Sequence, residues 1–115
     1  MANEIVHIEI MGSDGEKTQA FYRDLFGWNV KPVESTGDTY ARVDGAGLDG
    51  GVGAFPGAPN YVTVYVRASD PAAALRRAEE LGGTTLMEPR EVPDGITVAM
   101  FRDPAGNAVG LISGV

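Results

Sequence analysis

The chain of 115 residues contains no cysteine. That excludes a disulfide framework, a zinc–thiolate centre and a thiol nucleophile. It is also poor in positive charge, with nine Lys and Arg against 16 Asp and Glu, for a net charge of −7. Binding phosphate requires clustered cations, and here only Arg76 and Arg77 are adjacent. Nucleic acid is therefore not expected as a partner, nor is an anionic membrane surface. No apolar run approaches the roughly 18 residues that a membrane span requires. The opening MANEIVHIEI has no basic stretch ahead of a long apolar run, so no secretory leader is predicted and a cytoplasmic location is expected. Histidine is scarcest of all: His7 is the sole one.

What is present has the balance of a folded domain. A 43% hydrophobic share and 22% charge are globular values, and the length predicts a single domain spanning 1–115. Sixteen glycines and seven prolines predict many turns and short strands.

Val6, Ile8 and Ile10 alternate with His7, Glu9 and Met11, the period of a half-buried strand. A helix follows. Ser13 and Glu16 stand in a capping-box relation, Thr18, Phe21, Tyr22 and Leu25 share one helical face, and Gly27 is placed to end the helix in a left-handed cap. From Tyr61 the pattern recurs. Val62, Val64 and Val66 alternate with Thr63, Tyr65 and Arg67, Ser69 or Asp70 caps a helix, and Pro71 suits its first turn. Leu75, Ala78 and Leu81 line its apolar face, and Gly82-Gly83 stop it.

Residues 5–27 overlay 61–83 at a constant offset of 56, matching Val6 to Val62, Asp14 to Asp70 and Gly27 to Gly83. After each helix the chain turns strand-like and glycine-rich: WNVKPVE, TYARVDG and GGVGAF in one half, TTLMEPRE, ITVAMFRD and NAVGLIS in the other. Two tandem β-α-β-β-β modules are predicted, 1–56 and 57–115, with FPGAPN at 55–60 joining them in an α+β architecture.

The stretches FYRDLFGW, DPAAALRRAEELGG and FRDPAGNAVGLIS resemble the vicinal oxygen chelate superfamily, which includes glyoxalase, bleomycin-resistance proteins, extradiol dioxygenases and methylmalonyl-CoA epimerase. The resemblance covers essentially the whole chain. It implies that each module forms a half-barrel, that the two enclose a cavity, and that the protein pairs as a homodimer. It also implies, for the enzymes, a divalent metal held by His or Gln from the first strand and Glu from the last strand of each module. Carried onto this chain, the first-strand slots hold His7 and Thr63, and the last-strand slots hold Gly53 and Gly110. Glycine offers no donor and threonine a poor one, so no metal or other cofactor is expected. Glu9, two residues on from His7, is the one carboxylate placed to supplement it.

Strand phase points Val6, Ile8, Ile10, Val62, Val64 and Val66 toward the helices, and His7, Glu9, Thr63, Tyr65 and Arg67 toward the concave face. Such a polar set suits a small organic ligand. His7 has two readings, an acid/base group paired with Glu9 or a strand histidine hydrogen-bonded to a neighbour. Glu9 and Arg67 either bind a ligand or pair with each other across the sheet. Tyr40 and Arg42 are placed to reach the cavity as well. Trp28 either covers its rim or packs within the fold, and Phe21, Tyr22 and Phe26 read as core. AGLDGGVGAFPGAPN lacks the spacing of a phosphate loop, and no serine nucleophile elbow is present. The expected function is metal-independent binding of a small organic ligand, as in the family's resistance proteins. The alternative is a metal-independent lyase, isomerase or oxygenase using His7, assisted by Glu9, as acid/base.

Overall fold

A computed structural model describes residues 2–33, 39–54 and 60–115. Among these the order is β1 (Ile5–Met11), α1 (Gly15–Phe26), β2 (Asn29–Pro32), β3 (Tyr40–Asp44), β4 (Asp49–Gly53), β5 (Tyr61–Arg67), α2 (Pro71–Glu80), β6 (Thr84–Val92), a 3-10 turn (Pro93–Gly95), β7 (Ile96–Arg102) and β8 (Ala108–Ser113). The expected joining segment 55–60 lies, except for Asn60, outside the described residues. No helix among the described residues is long and apolar enough to cross a membrane.

The chain divides into two compact units, residues 7–62 and residues 63–115 with the few residues that precede His7. Within 7–62 the strand order is β2-β3-β4-β1. β4 returns parallel to β1, and the other pairs are antiparallel. Within 63–115 the order is β5-β8-β7-β6, with β8 parallel to β5. Both units have the β-α-β-β-β plan, giving the α+β class that the repeat predicts.

Both helices start at an aspartate. The Asp70 carboxylate accepts a hydrogen bond from the Ala73 amide at 3.0 Å, and Pro71 fills the first turn, where its missing N–H leaves nothing unsatisfied. In α1 the cap is Asp14, which accepts from the Lys17 amide at 3.1 Å. Ser13, expected to cap, lies one residue too early because the helix opens at Gly15. Gly27 ends α1 at φ 72°, in the left-handed conformation its position predicts.

The second unit closes on Ala68, Leu75, Ala99 and Leu111, with Ala74 and Phe101 packed against them. Register carries Val66 to Leu111 and Leu111 to Ala99, so the helix-facing side of the sheet is aligned across three strands. In the first unit Ala41, Val43 and Val52 are fully buried.

Three expectations about the core are corrected, one being Leu81, which is 63% exposed at the C-terminal end of α2. Val62 is 70% exposed, because it lies at the very start of β5, ahead of the β8 pairing that begins at Tyr65. The α1 face of Phe21 and Leu25 is also exposed, as is Phe26, and the residues α1 buries are Gly15 and Gln19. A Cβ on Gly15 would stand 2.6 Å from the Thr39 carbonyl oxygen, so glycine lets the first turn of the helix lie directly on backbone.

Candidate functional site: a polar face in the first unit

Parallel register sets His7 opposite Asp49 and Glu9 opposite Gly51, while antiparallel register sets Arg42 opposite Gly51 and Tyr40 opposite Gly53. Alternation then brings His7, Glu9, Tyr40, Arg42 and Asp49 onto one face of three adjacent strands. Their side chains meet. His7 Nδ1 lies 2.8 Å from Asp49 Oδ2, and His7 Nε2 lies 3.3 Å from Glu9 Oε2. The Tyr40 hydroxyl donates to Glu9 Oε2 at 2.9 Å, and the Arg42 guanidinium donates to Asp49 Oδ1 at 3.3 Å. Glu9 is buried, at 7% exposure, whereas Asp49 and Arg42 reach solvent.

The imidazole thus stands between two carboxylates. Burial works against its charged form. Hydrogen bonds to Glu9 and Asp49, with the negative charge of both, outweigh that effect and raise the His7 pKa above its usual value. The imidazolium, with an N–H on each nitrogen, is the form both carboxylates favour. The Tyr61 phenol is raised as well. Burial, with the Glu9 charge adding to it, pushes its phenol up to about 12, so it stays protonated.

Glycine makes the room. A Cβ on Gly51 would overlap the Tyr40 hydroxyl, so this residue must be glycine for Tyr40 to reach Glu9. The second unit has a counterpart: register sets Tyr65 opposite Gly110, and a Cβ on Gly110 would overlap the Tyr65 ring. Since Glu9 overlays Tyr65 at the repeat offset, the register equivalent of Gly110 is Gly51. The sequence match to Gly53 is two residues off.

The other expected residues are distributed as follows. The Thr63 hydroxyl donates to the Ala108 carbonyl at 2.7 Å, engaged within its own sheet. Tyr65 is buried over Gly110. Arg67 pairs with Glu4 at 2.8 Å, which corrects the expected Glu9 pairing. Trp28 stacks on Tyr22 at 5.7 Å between ring centroids and lies 5.1 Å from Phe26. Asp49 and Tyr61 were not expected. Asp49 is found only by knowing that β4 returns parallel beside β1, and the β-α-β-β-β repeat was the signal that could have prompted that pairing.

The donor set does not fit the metal that the resemblance implies for the family's enzymes. His7 spends one nitrogen on each carboxylate, so Glu9 and Asp49 sit on opposite edges of the ring and converge on no common point. Among the described residues no group of three or more His, Asp or Glu side chains is arranged to hold a metal ion.

A family model described as the Glyoxalase/Bleomycin resistance protein/Dioxygenase superfamily matches residues 4–111. The chain is 30% identical over 103 residues to CFP32 of Mycobacterium bovis, provisionally assigned as a glyoxylase, covering 85% of this chain and 39% of that protein. It is 32% identical over 111 residues to the anthracycline biosynthesis protein DnrV of Streptomyces peucetius, covering 76% of this chain and 38% of that protein. The chain therefore spans about two fifths of the length of these relatives. Among solved structures, a superfamily member from Vibrio splendidus 12B01 superposes with a TM-score of 0.67 at 17% identity, covering 97% of this chain and 99% of that one. At that identity the likeness speaks for the fold.

Proposed function

The chain belongs to the Glyoxalase/Bleomycin resistance protein/Dioxygenase superfamily, and from that premise we propose that it is a small-molecule-binding member working without a metal ion. The ligand is an organic molecule held against the polar face of His7, Glu9 and Tyr40. One observation carries this reading: both nitrogens of the imidazole are engaged by carboxylates. A metal-ligating histidine gives one nitrogen to the metal and the other to a supporting acceptor, and a protonated nitrogen has no lone pair to give. The relatives' names, one a glyoxylase assignment and one tied to anthracycline biosynthesis, both concern small organic molecules, which supports the ligand class. Such a protein pairs as a homodimer in the cytoplasm, with no nucleic acid or membrane partner.

Elemental analysis of protein purified without chelator tests the metal half. Far less than one equivalent of any divalent metal is expected. Near-stoichiometric zinc, nickel, iron or manganese that disappears in His7→Ala would overturn it.

A second reading has its own support in the hydrogen-bonded run Tyr40–Glu9–His7–Asp49. Such a run holds a proton beside a buried carboxylate, as acid/base catalysis by a lyase, isomerase or oxygenase requires. Once a ligand is found, His7→Ala separates the two. Retained binding with lost turnover identifies an enzyme, and no turnover in either protein identifies a binder.

A further inference from the structure

A cavity of about 530 Å³ lies in the first unit, where α1 passes the end of β1. It is lined by Ile10, Met11, Phe21, Tyr22 and Val62 as apolar walls, and by Lys17, Asn60 and Tyr61 as polar groups, with Gly12 and Thr18 completing it. None of His7, Glu9, Tyr40 and Asp49 lines it, although Tyr61 in its lining feels the charge of Glu9.

Three features define what it takes. The volume is that of a small-molecule site. Its walls are aromatic and exposed: Phe21 is 59% exposed and meets Tyr22 edge to face at 5.1 Å, while Tyr22 is backed by Trp28 on its stacked side. Exposed apolar surface gathered in this way marks a binding face. Finally, in a chain with 16 acidic and nine basic residues, the lining contains one charged residue, and it is a cation, Lys17. In the same lining the Asn60 amide and the Tyr61 phenol, which keeps its proton, add hydrogen-bond donors.

We propose that this groove binds a flat aromatic carboxylate, its ring against Phe21 and Tyr22 and its carboxylate toward Lys17, Asn60 and Tyr61. Ring faces satisfy the aromatic walls, and an anion satisfies a donor set that has no acid in it. The proposal goes beyond the ligand of the polar face and stands independently of it.

Calorimetric titration with naphthalene-2-carboxylate and its neutral amide tests the proposal on the full chain. The acid is expected to bind tighter than the amide by up to about fivefold, the range of an exposed ion pair. Lys17→Gln, an exposed and conservative change, is expected to erase that preference while leaving the amide unaffected. Backbone amide resonances of Lys17, Phe21, Tyr22 and Tyr61 are expected to shift on binding. Equal affinity for acid and amide in the unmodified chain would overturn the proposal. So would shifts centred on His7 and Glu9, which would instead assign the acid to the polar face. Self-association that excludes the naphthoate would give the groove to a second copy of the chain and overturn it as well.

Discussion

His7 Nε2 and the Tyr40 hydroxyl both meet the Oε2 oxygen of Glu9. A buried carboxylate is costly unless hydrogen-bonded, so each partner matters to stability as well as to chemistry. Tyr40→Phe removes one donor and leaves the ring in place. It is expected to lower unfolding free energy by about 1–2 kcal/mol, read from urea denaturation. His7 makes the balance pH-dependent. Its pKa is raised in the folded state, so its stabilising contribution is fully present below the unfolded value of about 6.5 and is lost as pH rises through the folded value. Unfolding curves of the unmodified chain and His7→Gln should therefore differ most at mildly acidic pH and draw together as pH climbs past about 6.5. A gap that widens with rising pH would show that the imidazole is neutral in this setting. His7 and Glu9 could be placed on one face from alternation alone. Their partner Asp49 could not, because it lies 42 residues from His7 and reaches it only through strand register.

The helices show how local chemistry decides an element's ends while packing decides which face it buries. Asp14 and Asp70 each bind the amide three residues on, the bond that defines an aspartate N-cap. Replacing either with alanine is expected to cost about 0.5–2 kcal/mol, seen as a lower melting temperature by circular dichroism. The matching Ser13 and Ser69 should tolerate alanine far better. Ends of this kind are legible in sequence because the caps interact with their own helix. The buried stripe of α1 was not legible. Spacing marks Phe21, Tyr22 and Leu25 as the apolar face, yet the buried residues are Gly15 and Gln19, and at Gly15 only a residue without a Cβ fits against the Thr39 carbonyl.

At the scale of the whole molecule, the two units share a plan and differ in what they carry. The first holds the polar face and the groove along α1. The second spends its polar strand residues on itself: Thr63 on the Ala108 carbonyl and Arg67 on Glu4. Its core is small and centres on Leu75. Leu75→Ala is expected to cost about 2–5 kcal/mol, with amide exchange rising in α2 and in the β7 and β8 residues packed against it. Unchanged protection there would show that the alanine cavity collapses without penalty.

Composition excluded cysteine thiol chemistry and showed an excess of acidic residues. The repeat at a spacing of 56 specified the order of elements, and with it the α+β class, because propensity, alternation and capping act over a few residues. The family followed from motifs that also lie in short contiguous stretches, and the match over residues 4–111 agrees. Which side chains meet was decided only in three dimensions. His7 meets Asp49 because β4 runs parallel to β1. Tyr40 reaches Glu9 because residue 51 has no Cβ. The first turn of α1 lies against the Thr39 carbonyl because residue 15 has no Cβ. Each of these depends on register or on close approach between segments far apart in the chain, and a single sequence carries no local mark of either.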